Sequence, residues 1–377
     1  MTATVTRTKP FFRADHVGSL LRPAEVFAAR EAFARREIDA ARLRAVEDAA
    51  IREVVAGQER AGLHVVTDGE FRRENWYAAF IGRLGGVEIR EAQQNPAFDH
   101  DASSTVHYVP KNVVTVAPLR RPEPILVRDF AFLAAATERT AKITIPSPSR
   151  LHFHGGRNVV SRDVYPDIEA FFADVVAAYR AEIADLEAAG CRYIQIDDPL
   201  FSYFISERMR AEVVANGERP EDRLLRYVRL INDCIAERRP DTAVGIHVCR
   251  GNARSAWIAE GGYERIAEPL FGSLQNDHYL LEYDDDRSGD FAPLRFMPKD
   301  KRVVLGLVTS KYGKLEERGT LVRRVEEATK YVALDHLAIS PQCGFASVVE
   351  GNIITPEDQW AKLRLVVETA REIWPDA

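Results

Sequence analysis

Cysteine is scarce in this chain: there are four in 377 residues, Cys191, Cys234, Cys249 and Cys343. Thiols so few and so widely spaced do not make a disulfide framework, and a reducing compartment would keep them free. Their use is then packing, metal binding or catalysis. Long apolar runs are missing too. No stretch approaches the ~18 uninterrupted apolar residues that span a bilayer, and the opening MTATVTRTKPFFR lacks the apolar core of a signal peptide. These absences place the chain in the cytoplasm with no membrane partner. Positive charge is not in excess, since 51 basic and 57 acidic residues give a net charge of −6. That balance offers no broad attraction to phosphate backbones, so no nucleic-acid partner is expected. A Gly-rich phosphate loop of the dinucleotide or P-loop type is absent as well. What remains, 46% hydrophobic and 29% charged, is the composition of an ordinary soluble globular protein.

At ~150 residues per domain the length would allow two or three domains, yet the pattern along the chain is one of repeated units. Eight short runs rich in β-branched and apolar residues recur: FRADHVGSL (12–20), LHVVTD (63–68), AKITIPS (141–147), YIQIDD (193–198), AVGIHVC (243–249), YLLEYD (279–284), RVVLGLV (302–308) and HLAISPQ (336–342). Helical patterns lie between most of them: a long one from Pro23 to Arg60 closed by Gly62, then 164–189, 221–238, 320–334 and Pro356–Ile373 with Thr355 as N-cap. Strands alternating with helices predict a parallel sheet buried on both faces. Eight such units predict an α/β fold, a (β/α)8 TIM barrel, spanning 1–377 as a single domain. The valine-rich segment 82–124 (GGVEIRE, TVHYVP, KNVVTVAP) reads as a β-hairpin insertion after the second strand.

In such a barrel the chemistry belongs at the C-terminal ends of the strands. Those ends carry His16-Val17-Gly18-Ser19, Thr67-Asp68-Gly69-Glu70, Asp197-Asp198-Pro199, His247-Val248-Cys249, Glu282 with Asp284, and Pro341-Gln342-Cys343-Gly344. Residues two apart on a strand share a face, so His247 and Cys249 can bind one ion. With Glu282 and Cys343 they make an N, S, S and O set suited to tetrahedral zinc. The pattern alone leaves a second reading open, in which both cysteines are small buried hydrophobes. For Cys191 and Cys234, before a strand and inside a helix, packing is the expectation.

These motifs carry a resemblance. In FRADHVGSLLRP, VVTDGEFRR, YIQIDDP, GIHVCRGN, LEYDDDRSGDF and SPQCGFAS, in that order over nearly the whole length, the chain resembles the C-terminal catalytic barrel of cobalamin-independent methionine synthase and its single-barrel bacterial relatives. The resemblance implies a zinc ion held by His247, Cys249, Glu282 and Cys343, and a thiol methyltransferase that makes methionine from homocysteine. A free thiol has a pKa of ~8.5 and is mostly protonated at neutral pH; a metal-bound one is deprotonated. The resemblance also implies that Glu70 and Asp197 hold the amine of homocysteine, and that backbone and hydroxyl donors of Val17, Gly18 and Ser19 meet its carboxylate. For Glu70 an ion pair with Arg72 or Arg73 is the plainer alternative, and for Asp197 a loop cap.

The chain departs from the family on the methyl-donor side. It has no counterpart of the second barrel that helps build the folate site, and after the third strand Pro146-Ser147-Pro148-Ser149 and His152-Phe153-His154 replace the family's T-G-P and aromatic. After the seventh strand the family's D-I-H-S becomes Val308-Thr309-Ser310-Lys311, without the catalytic histidine. Lys311, His152 and His154 are the candidates to replace it, each with a packing role as the alternative. Arg13, Arg22 and Arg250 could meet a negative group or only brace loops. The donor is therefore open: a folate, a simpler methylated compound or methylcobalamin. Two other functions compete. One is an epoxyalkane:coenzyme M transferase type of thiol alkylation, which would want positive charge where Glu70 and Asp197 stand. The other is a non-catalytic thiol or zinc sensor. A homo-oligomer is the default expectation for such enzymes.

Overall fold

The structure is a computed structural model and describes residues 9–91, 98–100, 104–106, 111–375 and 377. The strands, in chain order, are β1 (Val65–Val66), β2 (Gly85–Glu91), β3 (Phe98–His100), β4 (Ser104–Val106), β5 (Lys111–Arg120), β6 (Thr140–Pro146), β7 (Tyr193–Asp197), β8 (Ala243–Val248), β9 (His278–Glu282), β10 (Arg302–Val308) and β11 (Leu337–Pro341). Seven of them form one sheet in the order β1-β6-β7-β8-β9-β10-β11, with every neighbour parallel. Parallel neighbours need crossovers, and the helices supply them on the outside, so strands such as Tyr193–Asp197 and Ala243–Val248 are buried along their whole length. The helix Pro220–Ile235 shows why. Leu224, Tyr227, Val228, Ile231 and Ile235 recur at helical spacing and are buried, while Pro220 starts the first turn with Glu221 and Asp222 beside it. The last helix, Pro356–Ile373, opens on Thr355 in a capping box with Asp358, as its sequence predicts.

The fold is the expected α/β barrel, but its first strand is not a strand. Among the described residues, 12–20 makes a single parallel bridge, Ala14 to Ile339, with Asp15 N–H on Ile339 O and Ile339 N–H on Arg13 O. Beyond that bridge the carbonyls of residues 16–18 bond to side chains instead of a ladder, and Ser19 O accepts from Phe345 N–H. Lys142 Nζ donates to His16 O, Gln195 Nε2 to Val17 O at 2.6 Å, and Thr67 Oγ1 to Gly18 O at 2.6 Å. Gly18 also takes a positive φ of 136°, which few other residues tolerate, and a Cβ there would meet Thr144 Cγ2 at 2.8 Å. The eighth barrel position is thus filled by an extended segment pinned from inside.

The expected helix from Pro23 to Arg60 is two helices, Ala24–Ala34 and Ala40–Arg60. Arg36 takes φ 60° between them, and Asp39 caps the second by accepting from Arg42 N–H at 2.8 Å. The helix expected to reach 334 stops at Ala328, and a helix with Pro269 inside it, Glu264–Ser273, has no counterpart in the sequence reading. The insertion after β1 pairs β2 with β5 and β3 with β4, both antiparallel. Residues 107–110 of the expected TVHYVP piece, and the first eight residues of the chain, lie outside the described set.

The pinning residues form one polar chain in the barrel interior. Lys142 Nζ also donates to Asp15 Oδ1 at 2.8 Å and Gln195 Oε1 at 3.0 Å, and Tyr193 OH donates to Asp15 Oδ2 at 2.5 Å. His278 Nε2 in turn lies 2.7 Å from Tyr193 OH, and all five side chains are buried. Removing one partner of a buried pair strands the other's charge at a cost of about 3–5 kcal/mol. Lys142→Met is therefore expected to lower the unfolding free energy by about that amount, read by urea denaturation of the metal-free protein; a change below 1 kcal/mol would show that the pin is dispensable.

Candidate active site

The strand ends converge on a cavity lined by Val17, Ser19, Glu70, Asp197, His247, Cys249 and Cys343, together with Trp76, Tyr203, Asn252, Ser347 and others. His247 is in β8, Cys249 follows its last residue, and Cys343 lies two residues beyond β11. The donor atoms of these three lie within 4.8 Å of one another, and all three side chains are buried. His247 Nδ1 is 3.2 Å from Leu280 O. A carbonyl can only accept, so Nδ1 carries the proton and Nε2 presents a lone pair. That Nε2 is buried with no hydrogen-bond partner.

The three groups also perturb each other. The Cys249 side chain and the nearby His247 pull Cys343 well below the ordinary thiol range, whereas the same Cys343, with burial, lifts Cys249 well above it. Against the effect of burial, the Cys343 sulfur raises His247. An unpartnered imidazole nitrogen beside two sulfurs, one of them readily ionised, fits a soft divalent cation such as zinc.

Glu282, the fourth donor implied by the resemblance, is not gathered into this cluster. Its carboxylate accepts from Arg250 N–H at 2.7 Å and Arg287 Nη1 at 2.8 Å, and Lys311 Nζ lies 3.8 Å away. Burial opposes its charge, yet Lys311, Arg287 and Arg250 bring it down to about 2. Asp284 beside it is pushed up to about 7 by burial and by Glu282. Lys311 is fully buried, and its ammonium makes no hydrogen bond to any described group.

Across the cavity stand two carboxylates. Glu70 Oε1 accepts from Thr144 Oγ1 at 2.8 Å with Arg73 Nη1 at 3.7 Å, and its Oε2 is buried without a partner. Glu70 adopts φ 61°, a conformation a non-glycine residue holds only when its surroundings enforce it; Arg22 and Arg73 N–H both donate to its carbonyl. Asp197 accepts from Gln195 Nε2 at 2.7 Å, and burial with the Glu70 charge pushes it up to about 7. Asp198 is turned away, accepting from Ser149 Oγ and Phe201 N–H. Ser19 sits against Gly344, where any Cβ would come within 2.0 Å of Ser19 Oγ.

The remaining expectations resolve by position. His152 Nδ1 pairs with Tyr227 OH at 2.9 Å and its ring packs on Phe172, and His154 faces Glu212; neither lines the cavity. Arg13 bonds Asp335 O and Leu337 O at the opposite end of the barrel. Arg22 and Arg250 brace loops through backbone carbonyls. Cys191 and Cys234 are buried apart from the cluster, and that burial lifts Cys191 to about 12 and Cys234 well above the ordinary thiol range. Sequence reasoning missed Trp76, Tyr203, Asn252 and Ser347. Asn252 and Ser347 close the motifs GIHVCRGN and SPQCGFAS, and Trp76 and Tyr203 follow VVTDGEFRR and YIQIDDP within a few residues, which is the signal that could have found them. Trp76 N–H donates to Ser347 O, joining the loops after β1 and β11 at the mouth.

Comparison with known proteins gives the chain a family. A family model described as the catalytic domain of cobalamin-independent synthase matches residues 12–372. The chain belongs to that family. Among its relatives, the uncharacterized Bacillus subtilis protein YxjG is 44% identical over 98% of this chain and 97% of its own length. A solved structure from Listeria monocytogenes, titled as a candidate vitamin-B12 independent methionine synthase, superposes with a TM-score of 0.78 at 37% identity, covering 98% and 99% of the two chains. The 5-methyltetrahydropteroyltriglutamate–homocysteine methyltransferase of Thermosynechococcus vestitus is 24% identical over 90% of this chain, which spans 41% of that longer protein. This member of the cobalamin-independent synthase family therefore shares the barrel with proteins of both lengths.

His152 carries a prediction independent of the site. Burial lowers its pKa from 6.5 to about 3, so below pH 6.5 the unfolded chain binds a proton that the native state refuses. Stability present above pH 6.5 is lost progressively as the pH falls toward 3. His152→Gln should flatten that part of the stability–pH curve in chemical denaturation, and an unchanged slope would assign the acid sensitivity elsewhere.

Proposed function

We propose that this protein is a zinc-dependent thiol S-methyltransferase that transfers a methyl group from a folate-type or simpler donor to homocysteine, forming methionine. The observation that carries the reading is the His247, Cys249 and Cys343 cluster with its unpartnered Nε2, facing the carboxylate pair Glu70 and Asp197 across one cavity. His247, Cys249 and Cys343 would hold the ion; Glu282, the fourth donor of the family set, would join them only by giving up its bonds to Arg250 and Arg287. When bound, zinc lowers the pKa of a thiol and keeps its sulfur nucleophilic at neutral pH.

The chain's own residues do the rest. Glu70 and Asp197 attract the substrate ammonium: Arg73 stands 3.7 Å from one oxygen of Glu70, and the other, Oε2, has no hydrogen-bond partner among the described residues. The N–H groups of Val17, Gly18 and Ser19 take the carboxylate. Held at both ends, the side chain of homocysteine directs its sulfur to the cluster, and the methyl carbon must lie in line with it. The sulfur–carbon bond forms as the bond from carbon to the leaving group breaks, and the leaving atom keeps the electron pair. Lys311 is proposed for that side: its ammonium, 3.8 Å from Glu282 and outside the groups that line the cavity, would stabilise or protonate the departing group. A sulfonate thiol would meet two carboxylates instead of cations, which disfavours the coenzyme M reaction.

Two measurements test this. Isothermal titration of L-homocysteine should show binding at least ~10-fold tighter to zinc-loaded than to zinc-stripped protein, with Cys249→Ser losing both zinc and the tight phase; equal affinity in the two forms would sink the thiolate mechanism. Lys311→Met should lower the single-turnover methyl-transfer rate by ~10²-fold or more, in the range of lost acid catalysis, while homocysteine affinity stays within about twofold. An unchanged rate would remove Lys311 from the chemistry.

A further inference from the structure

The cavity's two substrate-facing elements, the Asp197 carboxylate and the Val17–Ser19 backbone, are held by one buried amide. Gln195 Nε2 donates to Asp197 Oδ1 at 2.7 Å and to Val17 O at 2.6 Å, and its Oε1 accepts from Lys142 Nζ at 3.0 Å. Gln195 and Lys142 have no solvent exposure at all. The orientation of the amide is not free. An ammonium only donates, so Oε1 must face Lys142, and the two amide hydrogens are then committed to the carbonyl and the carboxylate.

That commitment shapes the backbone. Within each trans peptide plane the C=O of one residue and the N–H of the next point in opposite directions. With the carbonyls of His16, Val17 and Gly18 drawn to Lys142, Gln195 and Thr67, the N–H groups of Val17, Gly18 and Ser19 are turned the other way. Among the described residues none of these three N–H groups has an acceptor. Three consecutive free N–H groups form an anion-binding concavity, and Val17 and Ser19 line the cavity. One side chain therefore presents an acceptor for a cation and, through the backbone, donors for an anion.

We propose that Gln195, oriented by Lys142, is the positioning residue that sets this site's preference for a thiol bearing an α-amino acid group. It acts through Asp197 and the Val17 peptide and touches no reacting atom. This rests on the reading of Glu70, Asp197 and residues 17–19 as the amino-acid clamp.

The test compares two ligands in zinc-loaded protein by isothermal titration. L-homocysteine carries both charged groups; propane-1-thiol carries neither and binds through sulfur alone. Gln195→Glu keeps a partner for Lys142 but has no hydrogens to give, and Gln195→Met removes the polar group altogether. Both variants should weaken L-homocysteine by at least ~10-fold, the scale of an unmade buried hydrogen bond, while zinc content and propane-1-thiol affinity stay within about twofold. Loss of both ligands together, or an unchanged ratio between them in either variant that retains zinc, would overturn the proposal. If the unsubstituted protein itself shows no preference for L-homocysteine over propane-1-thiol, the amino-acid reading of the site fails and this inference with it. Preference in the unsubstituted protein that survives in the variants rejects Gln195 alone.

Discussion

Lys142 carries its ammonium into the barrel interior, where an unpaired charge would be prohibitively costly. Three acceptors compensate it: the Asp15 carboxylate, the Gln195 amide oxygen and the His16 carbonyl. Two of these belong to the N-terminal segment that should have been a strand. The barrel is closed at that point by a charge and its hydrogen bonds, with one backbone bridge beside them. A full ladder would have consumed the N–H groups of residues 17–19. Holding residues 16–18 through their carbonyls leaves the N–H groups of residues 17–19 for the cavity, so the way the fold is shut and the way the site is built are one arrangement.

The groups that line the cavity and those gathered at the ends of β9 and β10 differ electrically. On the side of β1 and β7, Glu70 and Asp197 line the cavity, with Arg73 Nη1 3.7 Å from Glu70. On the side of β9 and β10, Glu282 and Asp284 are met by Arg250, Arg287 and Lys311. The His247, Cys249 and Cys343 cluster comes from the ends of β8 and β11. A zwitterionic thiol would be oriented by the acidic pair with its sulfur toward the cluster. At the end of β9 the Arg287 guanidinium also stacks over Trp257, 4.5 Å from the ring centroid.

Residue type and local pattern determined much of this by themselves. Seven of eight expected strands are strands because each is a short apolar run buried over most or all of its length, and period and length suffice to mark it. The strand ends His247-Val248-Cys249, Asp197 and Cys343 were legible for the same reason: once a barrel is recognised, chemistry at a strand's C-terminal end has one place to go. Three events depended on distant partners and were not legible. The segment 12–20 has the composition of a strand but loses its ladder to Lys142, Gln195 and Thr67, which lie far along the chain. Glu282 sits where a metal donor is expected, yet its carboxylate answers to Arg250, Arg287 and Lys311. His152 looks like a spare catalytic base in sequence and is a packed core residue against Tyr227 and Phe172. Sequence thus settled which groups reach the mouth of the barrel, because that follows from period and order along each strand. Tertiary structure decided which of them are paired, because a buried charge takes the partner that packing brings within hydrogen-bond distance, whatever its place in the chain.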